Sequence, residues 1–203
     1  CKSIVDDELS LFLSLIPVTP LASPRTSSSS LFQCIWIIPS SAFLNILKGT
    51  NLTTKVALSL SDPGVVSGFK ERFEEVFSVR KIDYLFCNKE EATALVGENF
   101  VEALKEITNN YVVTNGAESS YVMEGDTYAE IEARKVTAID SNGAGDIFAG
   151  AALHKIIEEH SFIEACKFGN YASSIIVQEK SPRLSIDQYK KLKADYWSDS
   201  WNI

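Results

Sequence analysis

The sequence contains little that would serve a metal centre or a disulfide framework. Its 203 residues include four cysteines and two histidines. The cysteines are far apart and form no C-x-x-C pair, and the histidines have only Glu158 and Glu159 as acidic neighbours, at a predicted helix end. These absences argue against a zinc site. Widely spaced thiols in a chain of this length favour a reducing compartment, so we expect a cytoplasmic protein.

Clusters of positive charge and long hydrophobic runs are also missing. Lys and Arg number 19 against 27 Asp and Glu, a net charge of −8, which disfavours binding to a nucleic-acid backbone. The longest uncharged apolar stretch, Leu9 to Ile16, is too short to span a bilayer, and the acidic residues before it do not suit a signal peptide. We therefore expect neither nucleic acid nor membrane as a partner. A lipid anchor on Cys1 is a minor alternative.

What is present is the composition of a globular protein, with 45% apolar and 23% charged residues. Residues 1–30 differ from the rest, because an acidic patch, a short Leu-rich run and three prolines precede four consecutive serines. This composition predicts a poorly ordered arm over residues 1–30. Residues 31–203 are long enough to form one domain with a substantial core.

Buried-strand patterns alternate with helical patterns from Leu31 onward. This alternation predicts an α/β layer fold with a mainly parallel central sheet. The predicted strands lie at 34–38, 55–60, 83–87 and 111–114, with a hairpin at 120–123 and 128–131, and the predicted helices at 42–47, 66–77, 89–96, 143–158, 162–178 and 186–196.

The most informative stretch is Asp140 to Asp146, which precedes a helix. Gly143, Ala144 and Gly145 have almost no side chain, so the backbone N–H groups at this helix start are open to an anion such as phosphate. Asp146 adds a carboxylate within one turn, where it could accept a proton from an attacking hydroxyl as a general base. The alternative is a glycine-rich turn with an acidic helix cap, present for stability alone.

Two further motifs follow predicted strands. Asn88 and Glu91 are three residues apart at a helix start, where they could hold hydrated Mg²⁺ and its phosphates, or could simply cap the helix. Thr114 and Gly116 follow the next strand. Ligands of parallel α/β sheets bind outside the carboxyl ends of the strands, so we expect all three motifs on one rim.

In these residues the sequence resembles the ribokinase-like, or PfkB-type, carbohydrate kinase family, which includes adenosine kinases. The matching segments occur in the family's order, and Asp140 to Ala151 is similar to its second signature. The sequence around Asp140 and Asp62 looks closest to that of adenosine-kinase-like members. The other matching segments are Leu58–Pro63, Tyr84–Glu91, Val112–Ala117 and Phe168–Ser173.

The resemblance implies a three-layer α/β/α fold, of which this chain carries the C-terminal, nucleotide-binding part. It also implies ATP and Mg²⁺ as cofactors and transfer of the γ-phosphoryl to a hydroxyl of a sugar or nucleoside. The resemblance implies that Asp146 is the general base and that Gly143, Ala144 and Gly145 form the anion hole. It implies that Asn88 and Glu91 lie near Mg²⁺ and the phosphates, that Thr114 and Gly116 lie along the nucleotide, and that Asn170 lies near the adenine. Asp140 and the carbonyl of Asn142 match a monovalent-cation site, which in some members takes K⁺.

The match also has a gap. Family members carry a glycine-rich first signature, acceptor-binding residues and a small β lid ahead of the region matched here, and the sequence shows none of them. Two hypotheses follow: a kinase for a small-molecule acceptor, or a catalytically inactive nucleotide-binding remnant or subunit that lacks the acceptor half. A sheet without its first strands exposes an apolar edge, which would favour pairing, for example as a homodimer.

Overall fold

The structure, a computed structural model, describes residues 32–36, 41–49 and 54–198. Six strands and eight helices lie in this part of the chain. The strands are β1 (Phe32–Trp36), β2 (Lys55–Ser59), β3 (Ile82–Asn88), β4 (Thr108–Thr114), β5 (Ser119–Glu124) and β6 (Thr127–Glu132); the helices are α1 (Ser41–Gly49), α2 (Pro63–Gly68), α3 (Lys70–Val79), α4 (Lys89–Val96), α5 (Phe100–Ile107), α6 (Ala144–Ile157), α7 (Phe162–Ile176) and α8 (Ile186–Ser198).

The strands form one sheet in the order β1-β2-β3-β4-β5-β6. Strands β1 to β4 pair in parallel, with Leu58 opposite Leu85 and Phe86 opposite Val112. Strands β4, β5 and β6 pair antiparallel, with Val112 also opposite Val122. The expected mainly parallel sheet is therefore confirmed, and the carboxyl ends of β2, β3 and β4 lie along one edge.

Side chains on successive strand positions separate into two buried cores. Val56, Leu58 and Leu85 pack with residues of α1 to α5, whereas Ala57 and Phe86 pack with residues of α6 and α7. Because successive side chains of a strand point to opposite faces, these two cores lie on the two sides of the sheet. The result is the predicted three-layer α/β/α arrangement.

The hairpin was also foreseen. β5 and β6 are joined through Gly125 and Asp126, and Gly125 has a φ of 57°, which glycine adopts without steric cost. The carboxylate of Glu124 accepts hydrogen bonds from the N–H groups of Phe162 and Ile163, at 2.9 and 3.1 Å. The hairpin is thereby tied to the start of α7.

The structure differs from the predicted elements in three places. The helix expected over 66–77 is two helices, since Phe69 leaves the helical region with φ −125° and ψ 25°. The eight-residue α5 was not predicted at all, and β4 begins at Thr108, three residues before the expected start. A short helix with two buried residues, Phe100 and Leu104, leaves little periodicity to read.

One expectation concerns residues that the structure does not describe. The arm expected over residues 1–30 lies outside the described ranges, so it stays a prediction. Across residues 41–49 and 54–198, no helix combines the length and hydropathy that a bilayer crossing needs.

Candidate functional site

A cavity of about 370 Å³ opens where the parallel strands end, and we call it the rim cavity. Ser61 follows β2, Asn88 ends β3 and Thr114 ends β4, and all three line it. Gly145 and Asp146, from the first turn of α6, line its other side. The structure thus brings the three predicted motifs to one rim, as the parallel topology requires.

The turn before α6 depends on glycine. Gly143 is the N-cap residue and has φ 80°, in the left-handed region. A Cβ atom at this position would lie 2.5 Å from the backbone oxygen of Pro182, which is closer than real Cβ contacts. Gly143 is therefore required both by its backbone conformation and by the segment packed against it.

The N-terminus of α6 is open to the rim cavity. Gly143 has no side chain, so α6 starts without a side-chain cap hydrogen bond. The N–H of Ala144 donates to the carbonyl of Ser141 at 3.2 Å, and the first-turn N–H groups after it have no acceptor within a helix. At Gly145 a Cβ atom would meet nothing within 4 Å, so protein packing does not demand glycine there. The open space and the helix dipole suit an anion.

Asp146 lies beside this anion site. Partial burial raises the pKa of its carboxyl, and the positive charge of Arg183 partly offsets this by lowering the pKa. A carboxyl that lines a cavity beside an open helix start can accept a proton from a bound group.

The start of α4 is different, because the sequence closes it. The side chain of Asn88 accepts from the N–H of Glu91 at 2.8 Å, and the carboxylate of Glu91 accepts from the N–H and the side-chain amide of Asn88, both at 2.9 Å. This is a capping box. The capping alternative considered for these two residues is thus observed, while both still line the rim cavity.

Negative charge accumulates around Glu91. The residue is 5% exposed, and burial raises the pKa of its carboxyl. The carboxylates of Asp62 and Glu90 raise this pKa further, whereas the backbone hydrogen bond from Asn88 lowers it. A bound cation would relieve this repulsion, so the donor set fits Mg²⁺.

The protein would contribute few side chains to such a magnesium site. Across the ranges 32–36, 41–49 and 54–198, no three His, Cys, Asp or Glu side chains converge as a metal site. Mg²⁺ usually keeps several waters and binds one or two carboxylates together with phosphates of the substrate, which suits Glu91 and its neighbours.

The predicted cation residues Asp140 and Asn142 form a tight turn ahead of α6. The N–H of Asn142 donates to the carboxylate of Asp140 at 2.9 Å. The N–H groups of Ile139 and Asp140 donate to the carbonyl of Val177, at 2.6 and 3.1 Å. Neither Asp140 nor Asn142 is among the residues that line the rim cavity.

A second cavity, of about 300 Å³, adjoins the rim cavity, and we call it the apolar cavity. Thr114, Gly116 and Gly145 line both cavities, so the two are continuous. Asn170 lines the far part. The predicted nucleotide residues are therefore brought together along one connected space. Its apolar wall includes Ala133, Val136, Ala138, Phe148 and Val177.

Sequence reasoning missed part of this lining. Residues 133–138, in the segment between β6 and α6, supply three of the five apolar wall residues, yet this stretch carries no motif that could have drawn notice. Ser61 was also overlooked. It lines the rim cavity with φ 69°, an uncommon conformation for a residue other than glycine.

Comparison with known proteins agrees with this geometry. The family described as pfkB family carbohydrate kinase matches residues 45–188. A ribokinase from Lactococcus lactis is 29% identical over 114 residues, covering 56% of this chain and 38% of that protein. Adenosine kinase 2 from Arabidopsis thaliana is 29% identical over 140 residues, covering 60% of this chain and 40% of that protein. The chain thus spans about two-fifths of the length of these curated relatives.

Solved structures show the same relationship. An adenosine kinase from Sinorhizobium meliloti superposes with a TM-score of 0.65 at 26% identity, covering 70% of this chain and 45% of that one. The match to the family extends over most of the described residues and includes both helix starts at the rim. The chain therefore belongs to the pfkB family of carbohydrate kinases.

Proposed function

We propose that this chain carries the nucleotide-binding and base-providing part of a kinase that transfers the γ-phosphoryl group of ATP to a hydroxyl of a sugar or nucleoside. The observation that carries the proposal is the uncapped start of α6, with Asp146 in its first turn, facing two connected cavities. An open helix start binds anions, and a carboxyl beside it can take up a proton.

The nucleotide would lie along the connected space. Its phosphates would bind the N–H groups at the start of α6, where Gly145 leaves room for close approach. Its ribose and base would pass Thr114 and Gly116 into the apolar cavity, towards Asn170. Apolar walls with a few polar groups at the ends are typical of small-ligand sites.

The chemical step needs a base and a place for negative charge. The carboxylate of Asp146 would remove the proton of the acceptor hydroxyl as its oxygen bonds to the γ-phosphorus, and the bond between that phosphorus and the bridging oxygen of ADP would break. The backbone of Gly143, Ala144 and Gly145 would stabilise the charge on the transferring group. Raising the pKa of Asp146 by burial makes it a stronger base than an exposed aspartate.

Asn88 and Glu91 are the residues we assign to Mg²⁺, with water between. When bound, Mg²⁺ would offset the charge of the nucleotide phosphates. Asp140 and the carbonyl of Asn142 are assigned to a monovalent cation such as K⁺. We place the protein in the cytoplasm, since the buried free thiols of Cys87 and Cys166 suit a reducing compartment.

A second candidate function is nucleotide binding without turnover, by an inactive remnant or by a subunit that a partner chain completes. The observation that favours it is that the chain spans about two-fifths of its curated relatives. Residues that recognise the acceptor would then have to come from elsewhere.

One experiment separates the two functions. The wild-type chain, Asp146→Asn and the matched control Asp126→Asn, in the exposed hairpin turn, are compared for Mg-ATP binding by calorimetry and for ADP release over a panel of sugars and nucleosides. A kinase shows binding in all three and turnover in wild type and Asp126→Asn only. Binding without any turnover supports the second candidate, and absence of Mg-ATP binding in wild type contradicts both.

A further inference from the structure

The apolar cavity has a neighbour on its far side. A cleft of about 320 Å³ is lined by Glu130, Lys167, Tyr171 and Tyr196 and by two residues of the apolar cavity, Arg134 and Asn170. We call it the side cleft. Arg134 and Asn170 belong to both linings, so the two spaces meet at these residues, and we call this place the boundary.

The amide of Asn170 is oriented by the backbone. Its Nδ2 group donates to the carbonyl of Glu132, at the end of β6, at 2.8 Å. The amide oxygen is therefore turned away from that carbonyl and is the atom that can accept from a ligand. An exocyclic amine on a heterocyclic base is a matching donor, so the amino edge of adenine would face this boundary.

The Arg134 side chain lies on a buried aromatic ring. Its guanidinium lies 4.8 Å from the centre of the Tyr171 ring, a cation–π contact, and Tyr171 is 5% exposed. Tyr171 in turn packs against Tyr196, with ring centres 5.4 Å apart. The backbone just before Arg134 is fixed as well, since the N–H of Ala133 donates to the carbonyl of Glu118 at 2.8 Å.

We infer that Arg134 is a specificity-determining residue: its side chain, laid on Tyr171, partitions the apolar cavity from the side cleft and so limits the size of substituent that the amino edge of the bound base can carry. The inference rests on the proposed function, in which the apolar cavity takes the base. Removing the partition would join the two spaces and admit a bulky group on the exocyclic amine.

The test compares two nucleotides, Mg-ATP and the magnesium complex of N6-benzyl-ATP, by calorimetry. The variants are Arg134→Ala, which removes the partition, Arg134→Met, which keeps most of its length without charge, and Lys167→Ala, a control whose side chain lines the side cleft. Wild type is expected to bind ATP at least about tenfold more tightly than the benzyl analogue. Arg134→Ala should reduce that ratio by about fivefold or more, and Lys167→Ala should leave it within about twofold.

The Met variant distinguishes bulk from charge. A ratio close to wild type in Arg134→Met supports the partition, because the stem alone then fills the boundary. An unchanged ratio in Arg134→Ala, with a melting midpoint that shows the variant folded, overturns the inference. A benzyl analogue that wild type binds as tightly as ATP overturns it too.

A phosphate-free pair keeps this inference separate from the proposed function. Adenine and N6-benzyladenine are measured against the same variants by ligand-observed NMR. If wild type does not bind Mg-ATP, the proposed function fails, yet a gain for N6-benzyladenine in Arg134→Ala still supports the partition. If Mg-ATP binds and neither benzyl ligand gains in Arg134→Ala, the partition fails while the proposed function stands.

Discussion

Two helices begin at the same rim of the sheet, and their N-termini differ: one is capped by side chains and the other is not. At α4, Asn88 and Glu91 satisfy each other in a capping box. At α6, Gly143 offers no side chain, and the first turn faces the rim cavity. Both helix starts have first-turn N–H groups without a partner inside the helix, but only at α4 does a nearby side chain accept from one of them.

The start of α4 contributes to stability, whereas the start of α6 is left open for a ligand. A capping box typically contributes about 1 kcal/mol to stability and leaves few backbone groups for anything else. An uncapped start gives up that contribution and retains unpaired N–H groups. We therefore expect substitutions at α4 to change stability, and substitutions at α6 to change binding and catalysis.

The largest expected effect is on catalysis at α6. Asp146→Asn removes the proton acceptor while keeping size and shape, so turnover by an active chain should fall by about 10²- to 10⁴-fold with Mg-ATP affinity nearly unchanged. Steady-state rates and calorimetric affinities measure the two quantities separately. Full activity in Asp146→Asn would show that Asp146 is not the general base, and the start of α6 would then have no catalytic role through this residue.

Next in size is the strain at Gly143. Gly143→Ala places a Cβ atom 2.5 Å from the oxygen of Pro182, at a φ of 80°. We expect a loss of about 2–4 kcal/mol in the free energy of unfolding. Urea titration followed by circular dichroism measures it. A loss below about 1 kcal/mol would mean that the turn before α6 adapts, and that its geometry is not fixed by Pro182.

A smaller effect is expected at the closed start. Asn88→Ala removes the cap of α4 and should cost about 1 kcal/mol in the free energy of unfolding. Asn99→Ala is the matched control, because Asn99 is the N-cap residue of α5 and makes no side-chain cap hydrogen bond. Equal losses in the two variants would show that the capping box contributes nothing specific.

Gly145→Ala sharpens the contrast, because stability and binding should move in opposite directions. Its Cβ atom meets nothing within 4 Å in the chain, and alanine is a better helix former than glycine, so the free energy of unfolding should rise by up to about 1 kcal/mol. The methyl group narrows the approach to the N–H groups, so Mg-ATP affinity should fall. A stabilised variant that binds Mg-ATP as well as wild type would argue against phosphate at this turn.

The smallest effect is a pH dependence at Glu91. Burial raises its pKa above the ordinary value of 4.5, so the folded chain holds this proton more tightly than the unfolded chain does. As pH rises from that ordinary value through the folded-state pKa, the unfolded chain releases the proton first, and the free energy of unfolding falls.

Glu91→Gln should lack this fall, so wild type should lose stability relative to the variant over that pH window. Urea titrations across the window, with Glu98→Gln as an exposed control, measure the difference. A parallel pH dependence in wild type and Glu91→Gln would contradict the assignment to Glu91.

Much of the rim could be predicted from the sequence because its features are local. The run Gly143 to Asp146 before a helix, and Asn88 with Glu91 three residues later, are patterns that depend on a single turn of chain. The parallel sheet followed from alternating elements, and it was this topology that predicted one shared rim.

What the sequence did not disclose depends on residues far apart in the chain. Nothing near Gly143 predicts that the oxygen of Pro182 packs against it. Likewise, the contact of Arg134 with Tyr171, beside the side cleft, joins a loop to a helix across more than thirty positions. The break at Phe69 also escaped prediction, because the apolar spacing continues through it.

Phosphate binding at the start of α6 is tested by the melting midpoint of the chain with and without Mg-ATP, in wild type and in Gly145→Asp. A ligand that binds only the folded state must raise the midpoint, by roughly 5–10 °C for a chain of this size when its concentration is about a hundred times Kd. The carboxylate of Gly145→Asp would occupy the anion site and repel phosphate, while still suiting the first turn of a helix. We expect a clear Mg-ATP shift in wild type that is lost in Gly145→Asp. No shift in wild type, or an equal shift in both, would contradict phosphate binding at the start of α6.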